Sequence, residues 1–190
     1  PAGDGRDDEQ PDPLQPAARL KGRRRVATHR ESRAIGLPAE WLFDVVADVE
    51  RYPDFVPLMR EARVLRRHAD AYETEQSLAV GLLRHRFRTR TELSRPNAIS
   101  IVSQDRSFCR FDIRWDFAPL ADDRCQVDFA FDCELRSLFL MPVLQMLILP
   151  MAGSMVSTFE RRAHLLAAQA GAPPGLTPAG RLAVDDRQQE

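Results

Sequence analysis

The sequence predicts an α+β domain in which a curved antiparallel sheet wraps around a long C-terminal helix. Three observations carry this. A period-two alternation of apolar and polar residues recurs between Tyr72 and Leu135. Helical patterns flank it, one after Pro38 and one beyond Pro150. Finally, 190 residues with 44% hydrophobic side chains suffice for one real core but not for two large domains.

Charge narrows the function classes. The chain has 27 Lys+Arg against 28 Asp+Glu, a formal net charge of −1. That disfavours a generally basic nucleic-acid binder and any DNA partner, and leaves room only for a local basic face. The three cysteines, Cys109, Cys125 and Cys133, lack the C-x₂-C spacing of a structural zinc site, so reduced thiols in a cytoplasmic protein are expected.

Residues 1–24 mix Pro, Gly, Asp, Gln and Arg without apolar periodicity and are expected to be a disordered tail. With acids among the arginines and no apolar run following, neither a transit peptide nor a secretory signal fits. Residues 170–190 read as a second tail, which leaves one domain over 25–169.

Within that domain a first strand is expected over 26–35. Pro38 suits the first turn of a helix, and Leu42, Val45, Val46 and Val49 follow on one face. The helix ends before RYPDFVP, where Pro53 and Pro57 force a bent connection. Tyr72, Thr74, Gln76, Leu78, Val80 and Leu82 then share one strand face, with Glu73 and Glu75 opposite. In the next strand His85, Phe87, Thr89, Thr91 and Leu93 face inward, while Arg84, Arg86, Arg88 and Arg90 take the other side. The clearest pattern is a hairpin: Cys109, Phe111, Ile113, Trp115 and Phe117, the turn PLADDR, then Cys125, Val127, Phe129, Phe131, Cys133 and Leu135. Register about Ala121 would set Arg110 opposite Asp132, Arg114 opposite Asp128 and Cys109 opposite Cys133.

Residues 138–150, LFLMPVLQMLILP, are apolar nearly all round but well short of the ~20 residues that span a bilayer. They read either as a core helix or as a surface that touches a membrane during ligand exchange, with Met141, Met146 and Met151 adapting to a flexible guest. After a kink at Pro150, Met151, Met155, Phe159, Ala163 and Leu166 form a helical stripe.

Three segments carry a family resemblance: LFDVVADVERYPDFVPLMREARVL over 42–65, DRSFCRFDIRWDFAPL over 105–120, and MVSTFERRAHLL over 155–166. They resemble the coenzyme Q-binding protein family of the START-like, polyketide cyclase/dehydrase superfamily, which overlaps with the bacterial ribosome-association toxin family. The resemblance implies a helix-grip fold that holds an isoprenoid quinone such as ubiquinone, or a similar lipid, as a non-enzymatic carrier supporting respiration. No further cofactor is implied. It also places Tyr52-Pro53-x-Phe55-x-Pro57 at the cavity mouth. Two departures stand out: Arg106 and Ser107 precede Phe108 where relatives tend to have Gly-Pro, and Pro142 and Pro150 lie in the terminal helix.

Inward phase and resemblance together give the expected ligand-binding residues: Tyr52, Phe55, Gln76, Phe87, Thr89, Phe111, Trp115, Phe129, Phe131, Met146, Met155 and Phe159. Gln76, Thr89 and Trp115 are the candidate donors to a quinone head group, or else satisfied core polar groups. Arg84, Arg86, Arg88 and Arg90 could contact ribosomal RNA or anionic lipid; the plainer reading pairs them with Glu73 and Glu75. His85 would be the nominee for acid–base chemistry in a cyclase, the third reading. No catalytic or metal-ligating set is expected, and the location implied is the cytoplasm, with peripheral contact at the inner membrane.

Overall fold

The structure is a computed structural model that describes residues 26–171. The tails expected at 1–24 and 170–190 therefore fall almost wholly outside the described residues. Within them run β1 (Val26–Ile35), α1 (Ala39–Ala47), a 3₁₀ turn (Val49–Arg51), α2 (Tyr52–Phe55), β2 (Met59–Arg67), β3 (Ala71–Val80) and β4 (Leu83–Ser94). Next come β5 (Ala98–Val102), β6 (Phe108–Pro119) and β7 (Cys125–Leu135). The described residues end in a broken helical stretch, a 3₁₀ turn (Leu138–Leu140), α3 (Met141–Val143), a π turn (Leu144–Ile148) and α4 (Leu149–Ala152), followed by α5 (Met155–Gln169).

Seven strands form one antiparallel sheet in the order β1-β7-β6-β5-β4-β3-β2. Because β1 and β2 are opposite edges, the chain must cross the whole sheet between them. It does so through α1 and α2, on the face that α5 also covers. The expected stripe Leu42, Val45, Val46 and Val49 is buried there. Two tyrosine hydroxyls close the C-terminal end of α1: Tyr52 donates to the Val46 carbonyl at 2.5 Å and Tyr72 to the Ala47 carbonyl at 2.9 Å.

Alternation puts one face of every strand under the helices. One level of that inner face reads Tyr72–Thr91–Ile101–Ile113–Phe131–His29 across six strands, and another Leu93–Ile99–Trp115–Phe129–Glu31. The edge strand β1 carries charge on this face. Arg33 donates to Glu160 of α5 at 2.6 Å and to Glu31 at 2.5 Å, which pins the helix to the edge. The indole of Trp41 donates to the Ala163 carbonyl at 3.1 Å and ties α1 to α5.

The hairpin register differs from expectation. Asp122 and Asp123 take φ of 60° and 52°, the left-handed region that Asp tolerates, so the turn pivots one residue later than Ala121. Phe111, not Cys109, stands opposite Cys133, and Arg110 stands opposite Glu134. A bulge between Phe108 and Arg110 turns Cys109 outward, where it is exposed. Arg110 still reaches Asp132 diagonally at 3.6 Å, but Arg114 pairs with Asp116 on its own strand, not with Asp128. Leu82, in phase with the inner face of β3, sits instead at the β3–β4 turn and is fully exposed.

The terminal helix is interrupted later than expected. Pro150 has no N–H to donate and its ring crowds the preceding turn, which the chain meets with the π turn of 144–148. The break itself lies at Gly153–Ser154, ahead of α5. Met151, Met155, Phe159 and Ala163 are buried as the stripe predicts.

Candidate functional site

The layer between the inner face of the sheet and the helices holds two aromatic groups. Trp115 lies 4.5 Å from Phe129 and 5.3 Å from Phe159, ring centroid to centroid, and Phe159 meets Tyr52 and Phe55 edge-on at 5.0 Å each. Closer to the 138–152 end, Phe87, Phe108, Phe111 and Phe131 form the second group, with separations of 4.9–5.8 Å, and His85 stacks on Phe87 at 5.7 Å. Nearly all the ligand-binding residues expected from sequence thus lie in this layer. Phe55 is half-buried at its rim, with the Arg162 guanidinium 5.3 Å from its ring centre. Met155 is buried on α5.

Met146 is the correction. It is half-exposed, outside the layer, because a helix apolar on every side gives no phase from which to read its inner face.

The buried polar groups divide into satisfied and unsatisfied. The Gln76 amide donates to the hydroxyls of Thr74 and Thr89 at 3.0 Å each, and the two hydroxyls bond each other at 2.7 Å. Two amide and two hydroxyl hydrogens are present, and these contacts engage three of the four. Thr74 is not among the expected site residues, although it shares the inward phase of Gln76. Trp115 is different: it is 1% exposed, and its Nε1–H has no hydrogen-bond partner among the described residues. Unpaired buried donors are uncommon, because each forfeits its hydration without replacement. Between the Thr89 level and the Leu93–Trp115 level the inner face runs roughly 13 Å along β4, so the two polar points are separate.

His85 is half-buried, and its Nε2 also lacks a partner among the described residues. Desolvation lowers its pKa, with Asp105 acting in the opposite sense. Tyr52 and Tyr72 have no free hydroxyl hydrogen to offer, being committed to α1, and burial raises both, Tyr72 to about 12.

On the outer face, the arginine row is largely paired. Glu75 lies 2.7 Å from Arg63, 3.6 Å from Arg86 and 3.4 Å from Arg88, which holds its carboxyl below the usual range; Arg90 lies 3.9 Å from Glu73. Arg84 makes no ion pair among the described residues.

Residues 35–162 match the family described as polyketide cyclase / dehydrase and lipid transport. Among curated proteins, the chain is 30% identical over 142 residues to the ribosome association toxin RatA of Pseudomonas aeruginosa, covering 74% of this chain and 99% of that one. It is 26% identical over 151 residues to the mitochondrial coenzyme Q-binding protein COQ10 homolog B of Xenopus laevis, covering 77% of this chain and 62% of that one. Among solved structures, an aromatase/cyclase from a Streptomyces species superposes with a TM-score of 0.67 at 15% identity, over 78% of this chain and 99% of that one. An 18 kDa protein from Caulobacter crescentus superposes at 0.59 with 26% identity, over 75% and 99%.

Proposed function

Since the chain belongs to the polyketide cyclase / dehydrase and lipid transport family and has the START-like helix-grip fold, we propose that it binds an isoprenoid quinone or similar lipid between sheet and helices, without catalysing a reaction. The observation that carries this reading is the unpaired indole N–H of Trp115 in an otherwise aromatic wall. A quinone head group offers carbonyl acceptors and no donors, so it supplies the acceptor that the Trp115 N–H lacks. The tail would run from there past Ile113, Phe131, Phe111 and Phe87 toward His85, a path of roughly 26 Å along β4.

Magnitudes assign the roles. Each methylene transferred from water contributes about 0.8 kcal/mol, against about 1 kcal/mol net for one head-group hydrogen bond. The tail therefore sets affinity and Trp115 sets orientation. Loading requires the helical layer to part from the sheet, and its short pieces over 138–152 hold together less cooperatively than α5. The test is organic extraction of natively purified protein followed by mass spectrometry. Stoichiometric quinone or lipid is the expected result, and its absence after expression in a quinone-producing host defeats the reading.

A second reading is favoured by the likeness to the ribosome association toxin, which spans nearly all of that protein. Under it, the outer arginines Arg84, Arg86, Arg88 and Arg90 contact the ribosome. Their glutamate partners reduce the field available for RNA. Sucrose gradients decide: subunit joining that is unchanged at saturating protein removes this reading.

A further inference from the structure

We propose that the end of the domain formed by the β3–β4 turn and residues 138–152 docks on an anionic lipid bilayer. The proposal rests on the reading of the interior as lipid-binding, since the bilayer would be the source and destination of the ligand.

The elements concerned share one end of the sheet by register. Leu78 pairs with His85 across β3–β4, Phe108 pairs with Leu135 across β6–β7, and the rings of His85 and Phe108 lie 5.8 Å apart. From that end β7 runs out into residues 138–152, fifteen residues without a charged side chain. Their outward positions are mostly apolar, Gln145 excepted: Phe139 is 95% exposed, Met146 53% and Leu149 39%. At the β3–β4 turn Leu82 is fully exposed. A soluble chain gains nothing by presenting large apolar groups to water, and a concentration of them marks an interaction surface.

The occupant follows from shape and charge. The exposed groups stand on different elements as separate protrusions, not as the walls of a groove. A bilayer interface admits such points without a complementary surface, whereas a protein partner would have to match them. The bordering charges are basic: Arg84, Arg106 and Arg136 are exposed at this end. The acids nearby are Asp105, half-buried with its carboxylate accepting the Ser107 N–H at 2.9 Å, Glu134, and Glu61, whose carboxylate is paired with Arg86 at 3.3 Å. A second copy of the chain would bring like charges together, and no helix among the described residues is long and apolar enough to cross the membrane. Apolar tips in the interface with arginines at the phosphate level is the arrangement that these residues support.

The experiment is flotation of the full chain with phosphatidylcholine vesicles and with an equal mixture of phosphatidylcholine and phosphatidylglycerol. The expected result is several-fold more protein on the anionic vesicles, the difference collapsing at high salt. The double variant Leu82→Ser, Phe139→Ser should bind about tenfold less, because both apolar insertions are lost. Leu165→Ser, which alters an exposed leucine on α5, should bind as the parent does, and circular dichroism with denaturant midpoints establishes that all variants fold. Binding that ignores the double variant, binding equal on both vesicles, or a concentration-dependent dimer abolished by Phe139→Ser would each overturn the proposal. Extraction separates it from the reading beneath: protein that carries lipid yet never floats defeats docking alone, whereas protein that floats but carries no lipid defeats only the interior reading.

Discussion

The indole of Trp115 is clamped between Phe129 of the neighbouring strand, at 4.5 Å, and Phe159 of α5, at 5.3 Å, while its N–H finds no acceptor among the described residues. Packing and hydrogen bonding therefore disagree at one residue. The ring is held as a core residue is held, and the polar atom is stranded as a core atom seldom is. Those two properties separate under mutation.

Trp115→Phe keeps a ring and removes the stranded donor. The unfavourable desolvation of that donor, about 1–3 kcal/mol, offsets the packing lost with the smaller ring, so ligand-free stability should change by no more than ~1 kcal/mol. Lipid retained through purification should fall sharply. Trp115→Ala should cost the ~3–5 kcal/mol of a large aromatic removed from a core, because the side chain is 1% exposed with partners on two sides. Urea denaturation and lipid analysis measure the two effects. A Phe variant that keeps its lipid would withdraw Trp115 from the site.

Gln76, Thr74 and Thr89 satisfy one another, so their contribution should lie mainly in stability. Thr89→Val removes a hydroxyl that both other members use, leaving the Gln76 amide short of an acceptor. A loss of about 1–3 kcal/mol in urea is expected, with retained lipid little changed. Loss of lipid at unchanged stability would move the head group from Trp115 to this cluster.

The bulge at Cys109 makes the thiols unequal. Cys109 is exposed, whereas Cys125 and Cys133 are buried, which raises their thiols to about 11 and about 12. An aromatic disulfide reagent at neutral pH should titrate one thiol in the native protein and all three after denaturation. Three fast thiols in the native state would contradict the burial of β7.

How much of this was legible in the sequence depended on whether a feature is local. The faces of β3, β4 and β7, and of β6 from Phe111 onward, follow from alternation, and with them the inward set from Gln76 to Phe131. β2 is hidden in the sequence because two bulges, at Met59/Glu61 and Val64/Arg66, break its period, and β5 because AISIV is only five residues long. The hairpin register turned on Asp122 and Asp123 entering the left-handed region, a choice that the run PLADDR does not announce. Whether Gln76 and Thr89 were donors or satisfied depended on Thr74 lying directly across from Thr89, a relation between strands that no single strand encodes. The exposure of Met146 depends on which side of an all-apolar helix meets the sheet.

The last prediction concerns alkaline pH. Burial favours the neutral forms of Cys125, Cys133 and Tyr72 in the folded chain, with pKa values of about 11, about 12 and about 12. In the unfolded chain thiols ionise near ~8.5 and phenols near ~10. Below ~8.5 both states hold these protons and the native state keeps its full advantage. Above that the unfolded chain releases protons first, and stability falls until the folded groups ionise as well. The denaturant midpoint should therefore hold steady to about pH 8 and drop from about pH 9 to 12, the Tyr72 part coming last. Replacing the buried thiol in Cys133→Ala leaves a small gap and removes one proton from this linkage, to which the buried Tyr52, raised in the same direction, adds another in both proteins. Relative to its own value at pH 7, that variant should lose less stability by about pH 11 than the parent does. The same decline in both proteins would mean that Cys133 does not keep its proton in the folded state, and would remove the basis for its inertness toward the disulfide reagent.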